Sequence, residues 1–170
     1  PEMCYSRPVA DVAQRLGFSW LMADEISCLG TIGDVRFDRK YHIRGLGLPI
    51  VFRHRGLSDL FFSDHLKRAE DFFTIVEHDP QIGNVLITAF DGENLGHHRP
   101  GLDRIWEQIV TDPRVETITV PEFLKRTTTI EEIVPRPASW SSNVRELDAG
   151  IPYVLWQHPE NPIHQRQWEL

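Results

Sequence analysis

The run Asn84-Val85-Leu86-Ile87-Thr88-Ala89-Phe90 restricts the fold of this chain more than any other segment. It is continuously apolar instead of alternating, the pattern of a parallel strand covered on both faces. Parallel strands need a crossover between them, usually a helix, and the flanking sequence offers the pieces. Ser6-Arg7-Pro8 opens a helix, with Ser as N-cap and Pro in the first turn. Val9, Val12, Ala13 and Leu16 form its apolar stripe, and Gly17 stands where a C-terminal cap belongs. Residues 18–23 and 49–52 read as short buried strands, 60–76 and 101–110 as helices, 116–120 as a strand and 121–125 as a short helix. Strand alternating with helix predicts an α/β fold around a parallel sheet.

After Arg126 this alternation lapses. Pro135, Pro137, Pro152, Pro159 and Pro162 punctuate a tail that holds Trp140, Trp156 and Trp168. The expected division is therefore a β/α region over 1–126 and a Pro/Trp-containing segment over 127–170. Four or five strands are counted, whereas a closed β/α barrel needs about eight. If the architecture is a barrel, the chain is its later part. The opening Pro1-Glu2-Met3, with no initiator Met and no signal-like segment, fits either a processed chain or a fragment. A fragment that lacks half of its barrel wall is expected to be inactive alone, and the expected compartment is the cytoplasm, although a missing N-terminal region would also remove any signal peptide.

Composition narrows the function. A net charge of −7 leaves no basic stripe to neutralise phosphates, which argues against nucleic acid. No apolar run approaches the roughly 20 residues that span a bilayer. Neutral polar ligands such as sugars remain. Cys4 and Cys28 are too few for a disulfide framework and read as reduced thiols. The residues do not define an oligomeric state.

In α/β folds, sites gather at the C-terminal ends of parallel strands. Asp24-Glu25, Arg53-His54-Arg55 and the segment Asp91 to His98 stand there, joined by Glu2 if the opening residues finish a strand. Asp91-Gly92 is also a favoured hairpin pair, but a loop entering a helix follows it and not a second strand. Asp91, His97 and His98 could ligate a divalent ion. Adjacent histidines rarely point at one ion, however, and neither HxH nor HExxH spacing occurs. Hydrogen bonding of a sugar hydroxyl by one histidine is the better reading. Glu2 and Asp91 form the pair that a retaining glycosidase uses, one carboxylate attacking the anomeric carbon and the other moving the proton. Glu93 would place a second negative charge near Asp91. Arg53, with Arg55 and Asp59, borders such a cleft as a substrate contact or forms an ion-pair cluster leading into the helix. Trp20 and Trp106 read as core, and Trp140, in a Pro/Ser loop, as an aromatic face for a sugar ring.

These residues resemble a known family. Phe90-Asp91-Gly92-Glu93-Asn94-Leu95-Gly96-His97-His98 is similar to the general acid/base motif of glycoside hydrolase family 57. That motif is Asp, a small residue, Glu, two further residues, Gly and often His. Pro1-Glu2-Met3-Cys4-Tyr5 resembles its nucleophile motif, in which Trp-x-Pro-Glu precedes small residues and Tyr. Pro137-Ala138-Ser139-Trp140 resembles its Pro-Ser-Ser-Trp element, whose Trp lines the sugar site, and the stretch from Leu155 to Trp168 the start of its helical region.

The resemblance implies the C-terminal part of an incomplete, seven-stranded parallel β/α barrel and a retaining mechanism on α-glucans or related α-glycosides. It makes Glu2 the nucleophile and Asp91 the acid/base, with no metal or cofactor. Glu93, His97, His98, Trp140 and Arg53 are the candidate substrate contacts. The family's His-Gln-Pro motif and the Trp before Pro1 are missing, and Ser141-Ser142-Asn143 replaces a Gly-rich run. The acceptor is thus open: water for an amylase-like hydrolase, a sugar for a 4-α-glucanotransferase or branching enzyme. From other classes stand a metal-dependent carbohydrate deacetylase and a non-catalytic carbohydrate-binding relative.

Overall fold

Ser6 caps the first helix as its sequence requires. In the computed structural model, which describes residues 2–169, its Oγ accepts the Val9 N–H at 3.4 Å and α1 (Arg7–Arg15) follows. Gly17 takes a left-handed φ of 79° just beyond the helix end. Of the predicted stripe on α1 only Ala13 is buried. Ala10 and Ala13 are buried, while Val9, Val12 and Leu16 are exposed, Leu16 at 71%. The reason lies in two polar anchors, since Arg7 donates to the Arg44 carbonyl and Gln14 to the Leu46 carbonyl. They turn the small residues inward, where backbone can come close.

The chain continues through β1 (Leu21–Asp24), α2 (Ile26–Leu29), β2 (Lys40–Ile43), β3 (Pro49–Arg53), α3 (Arg55–Leu60), α4 (Ala69–His78), α5 (Leu102–Val110) and α6 (Val120–Arg126). It ends with β4 (Ile130–Ile133), α7 (Val144–Asp148), α8 (Val154–Gln157) and α9 (Pro162–Gln167). The architecture is mixed α/β, with a four-stranded sheet in the order β1-β3-β2-β4. β2 and β3 pair antiparallel, Tyr41 opposite Ile50 and His42 opposite Pro49, so the sheet is not purely parallel as expected. The connection between them is too short for a crossover, and Gly45 and Gly47, at φ 76° and 65°, let it reverse. Among the described residues no helix is long and apolar enough to cross a membrane.

The described residues form two compact units. The first takes residues up to Val35, Tyr41–Phe52 and those from Glu131 on. Its buried residues include Tyr41, Ile43, Ile50, Val51 and Phe52, with the Tyr41 and Phe52 rings edge-on at 5.4 Å. The second takes Arg36–Lys40 and Arg53–Ile130. Its core is Leu57, Phe61, Leu66, Phe72, Phe73, Leu102 and Ile109, with Phe90, Ile105 and Trp106 packed against it.

Four expected elements differ. The helix over 60–76 is interrupted between α3 and α4, because Phe61 and Leu66 both turn into the core from the connection. The Asp71 carboxylate then takes the Lys67 and Arg68 N–H groups and restarts the helix. Residues 84–90 form no strand; Asn84 is exposed and 85–90 are half-buried. Their backbone groups make single bonds to α3 and its lead-in, at His54, Ser58 and Arg53, and not a ladder. Residues 116–119 also form no strand, and Thr119 caps α6 instead. The first strand is shorter than residues 18–23, since Phe18 is exposed and pairing begins at Leu21.

Phe61→Ala should lower the stability of the folded chain by about 3–5 kcal/mol. Leu16→Ala on the exposed face of α1 should stay within about 0.5 kcal/mol. Equilibrium chemical denaturation of the two variants checks both.

Candidate functional site

Asp91 is placed by what precedes it. The His54 N–H donates to the Ile87 carbonyl at 2.7 Å. Ser58 Oγ accepts the Ala89 N–H at 3.1 Å and donates to the His54 carbonyl at 2.7 Å. Arg53, only 1% exposed, donates from Nη1 to the Ala89 carbonyl at 3.0 Å and from Nη2 to Asp59 Oδ1 at 3.0 Å. Phe90 stacks on Phe61 at 4.3 Å between ring centroids, with Trp106 edge-on to it at 5.4 Å. Asp91 is the next residue, and its side chain is exposed.

The loop beyond Asp91 closes on itself. The Asp91 carbonyl accepts the Asn94 N–H at 3.1 Å, forming a single 3-10 turn over Gly92–Asn94. Gly96 at φ 97° reverses the chain, and the His98 N–H returns to the Glu93 carbonyl at 3.0 Å. Glu93, His97 and His98 are exposed. His98 Nε2 stands 4.0 Å from Glu93 Oε2, and the two histidine rings meet edge-on at 4.8 Å. Arg99 anchors the far end, donating to the Phe61 carbonyl at 3.3 Å and the Leu66 carbonyl at 2.9 Å. The result is a short loop, tied at both ends, that offers carboxylates and imidazoles outward.

Glu2 and Trp140 are brought together in the other unit. Pro1 of the nucleophile-like motif lies outside the described residues. Glu2 is exposed, and Glu2 and Met3 occupy left-handed backbone at φ 58° and 47°. That conformation disfavours a side-chain-bearing residue and persists where neighbours hold it. Here the Trp140 N–H donates to the Glu2 carbonyl at 3.2 Å. Tyr5 and Ala138 exchange backbone bonds of 2.8 and 3.2 Å, and Tyr153 Oη donates to the Tyr5 carbonyl at 2.5 Å. Ser142 Oγ accepts the Ser139 N–H at 2.9 Å and donates to the Pro152 carbonyl, fixing the turn that carries half-buried Trp140. Burial pushes the Tyr153 phenol up to about 12. Burial, and then the negative charge of Glu2, push the Cys4 thiol up.

The remaining polar clusters are built into the fold. Asp24 and Glu25 are fully buried; Asp24 Oδ1 accepts the Ile26 N–H and Glu25 Oε2 the Gly33 N–H. His54 caps α3 by accepting the Leu57 N–H on Nδ1, so the ring proton lies on Nε2 and faces Asp79 Oδ2 at 2.9 Å. Trp20 is half-buried, and Trp106 packs edge-on to Phe61 at 5.3 Å. Among the described residues no three His, Cys, Asp or Glu side chains are grouped to hold a metal ion. Ser58, Arg99 and Tyr153 escaped the sequence reading. No periodicity marks them, because each acts on a backbone carbonyl or amide distant in sequence.

A family model described as glycosyl hydrolase family 57 matches residues 1–135. The match takes in both the Glu2 and the Asp91 segments and ends before Pro137. No match was found among curated proteins or among solved structures.

With its thiol raised, Cys4 stays protonated at neutral pH. Alkylation of native protein should therefore accelerate only above the ordinary thiol value of 9.0. Glu2→Gln removes the negative charge and should move that profile to lower pH. Cys28, pushed up to about 12 by burial and 2% exposed, should react far more slowly. Mass spectrometry after timed iodoacetamide treatment reads all three; an unmoved Cys4 profile in Glu2→Gln would mean that the carboxylate exerts no field on the thiol.

Proposed function

The chain belongs to glycosyl hydrolase family 57, and from that premise we propose that it carries both reacting carboxylates of a retaining enzyme for α-glucans or related α-glycosides. The observation that carries the proposal is a family match over residues 1–135 that includes Glu2 and Asp91. The anchoring of Asp91 supports it, since an acid must be aimed at one oxygen and reachable by substrate. In the first step Glu2 attacks the anomeric carbon. The glycosidic C–O bond breaks as Asp91 gives its proton to the departing oxygen. In the second, Asp91 takes a proton from the acceptor hydroxyl, which displaces Glu2 from the sugar.

On the same reading, Glu93, His97 and His98 meet sugar hydroxyls from the Asp91 loop. Trp140 stacks on a sugar ring beside Glu2, in keeping with the backbone bond between the two residues. Residues 1–126 then belong to the later part of an incomplete seven-stranded β/α barrel, and 127–170 lead into a helical region. Two free thiols agree with the reducing cytoplasm as the compartment. Water as acceptor makes the enzyme amylase-like; a sugar hydroxyl makes it a 4-α-glucanotransferase or branching enzyme.

Maltooligosaccharides incubated with the full protein should yield α-configured products, shortened by hydrolysis or lengthened and branched by transfer. Asp91→Asn should lower turnover about 10²–10⁴-fold, and Glu2→Gln should leave no glycosyl-enzyme intermediate detectable by mass spectrometry. Full activity in either variant overturns the assignment. Activity that survives exhaustive chelation excludes the deacetylase.

A further inference from the structure

We infer that Arg53 and Ser58 are positioning residues for Asp91, and that Arg53 acts on its placement instead of on the sugar. The inference rests on the reading of Asp91 as acid/base. The residues just before Asp91 lack a strand ladder, so other bonds must hold them. Ala89, two residues before Asp91, has both backbone groups engaged. Its N–H goes to Ser58 Oγ at 3.1 Å, and its carbonyl receives Arg53 Nη1 at 3.0 Å. Both partners are nearly or fully buried, Arg53 at 1% and Ser58 at 0% exposure.

Each holder is itself held. Arg53 Nη2 donates to Asp59 at 3.0 Å, and Ser58 Oγ donates to the His54 carbonyl at 2.7 Å. Arg53, Ser58 and Asp59 lie at the end of β3 and in α3, so one rigid corner clamps a peptide from two sides. A guanidinium spent on a backbone carbonyl and a carboxylate is poorly disposed to bind a neutral sugar. It is well disposed to set the height of the chain at Ala89. Phe90, stacked on Phe61, then fixes the direction in which Asp91 leaves.

Proton transfer tolerates little error in position, and a displacement of about 1 Å can cost about 10²-fold in rate. The loss falls only on reactions that need the proton. A glycoside with a dinitrophenolate leaving group needs almost none, whereas maltose needs all of it. A general loosening of the protein would reduce both alike.

The test measures kcat/KM of the full enzyme on maltooligosaccharide and on the dinitrophenyl α-glycoside, for wild type, R53K, S58A and D91N. R53K should lose about 10²-fold on the oligosaccharide and under about threefold on the activated substrate; S58A should show the same selectivity at smaller amplitude. Equal losses on the two substrates, or no loss, in a folded R53K overturn the inference. Should R53K fail to fold, S58A, which deletes one buried hydroxyl, decides by the same criterion. D91N separates the premise from the inference. If D91N itself lacks the selectivity, Asp91 is not the acid and the reading beneath fails. If D91N shows it and both clamp variants do not, only the positioning role falls.

Discussion

Arg53 sits almost wholly out of water, and a charge that deep is tolerated only where its N–H groups find acceptors. It finds a carboxylate in its own corner, Asp59, and a carbonyl more than thirty residues away, that of Ala89. Much of the second unit follows from that choice. The carbonyl can be shared because residues 84–90 do not spend their polar groups in a sheet. The amide of Ala89 goes to Ser58, and the carbonyl of Ile87 to His54. A segment that would otherwise float is thereby joined to α3, and α3 in turn brings Leu57 and Phe61 to the core.

The aromatic cluster supplies the apolar counterpart. Phe61 contacts Phe72, Phe90 and Trp106 at 4.3–5.9 Å between ring centroids. Stacking and edge-on contacts of this kind add roughly 0.5–1.5 kcal/mol per pair beyond burial. Polar anchors define where the backbone runs and the rings define which way it faces. The Asp91 loop inherits both, and Arg99 ties its far end to carbonyls of the same cluster's connection. The Asp91 carboxylate therefore stands exposed on an anchored base, the arrangement that the proposed proton transfer requires.

Around Glu2 the same economy appears in another form. Backbone bonds from Ala138 and Trp140, and one phenol from Tyr153, hold a left-handed turn that side-chain-bearing residues avoid. The segment carrying Trp140 is held by Ser139, which bonds both Ser141 and Ser142, and by Ser142, which donates to the Pro152 carbonyl. Ser141 and Ser142, which in the sequence only marked a departure from a Gly-rich pattern, join Ser139 in fixing the turn by hydrogen bonding. Position is held here by hydroxyls where the related pattern has backbone freedom.

Local chemistry was legible from the residues alone. Ser6-Arg7-Pro8 starts α1, and the helices expected over 121–125 and 101–110 appear as α6 and α5, because caps and helical periodicity act within a few residues. The candidate site was legible as a list: Asp91, Glu93, His97 and His98 in one loop, Glu2 and Trp140 in others. What could not be read were outcomes settled between distant parts. Residues 84–90 had the composition of a buried strand, yet a strand exists only with a neighbour to pair with. In the structure their backbone bonds go to His54, Ser58 and Arg53 instead. The apolar stripe of α1 was real, but anchors at Arg44 and Leu46 chose the alanine face. Arg53 read either as a substrate contact or as part of an ion-pair cluster with Asp59; the structure has that ion pair and adds a bond to the Ala89 carbonyl, which no local pattern announces. Periodicity and capping are short-range properties of the chain. Which polar group receives a buried guanidinium, and which face a helix hides, depend on what the fold delivers beside it.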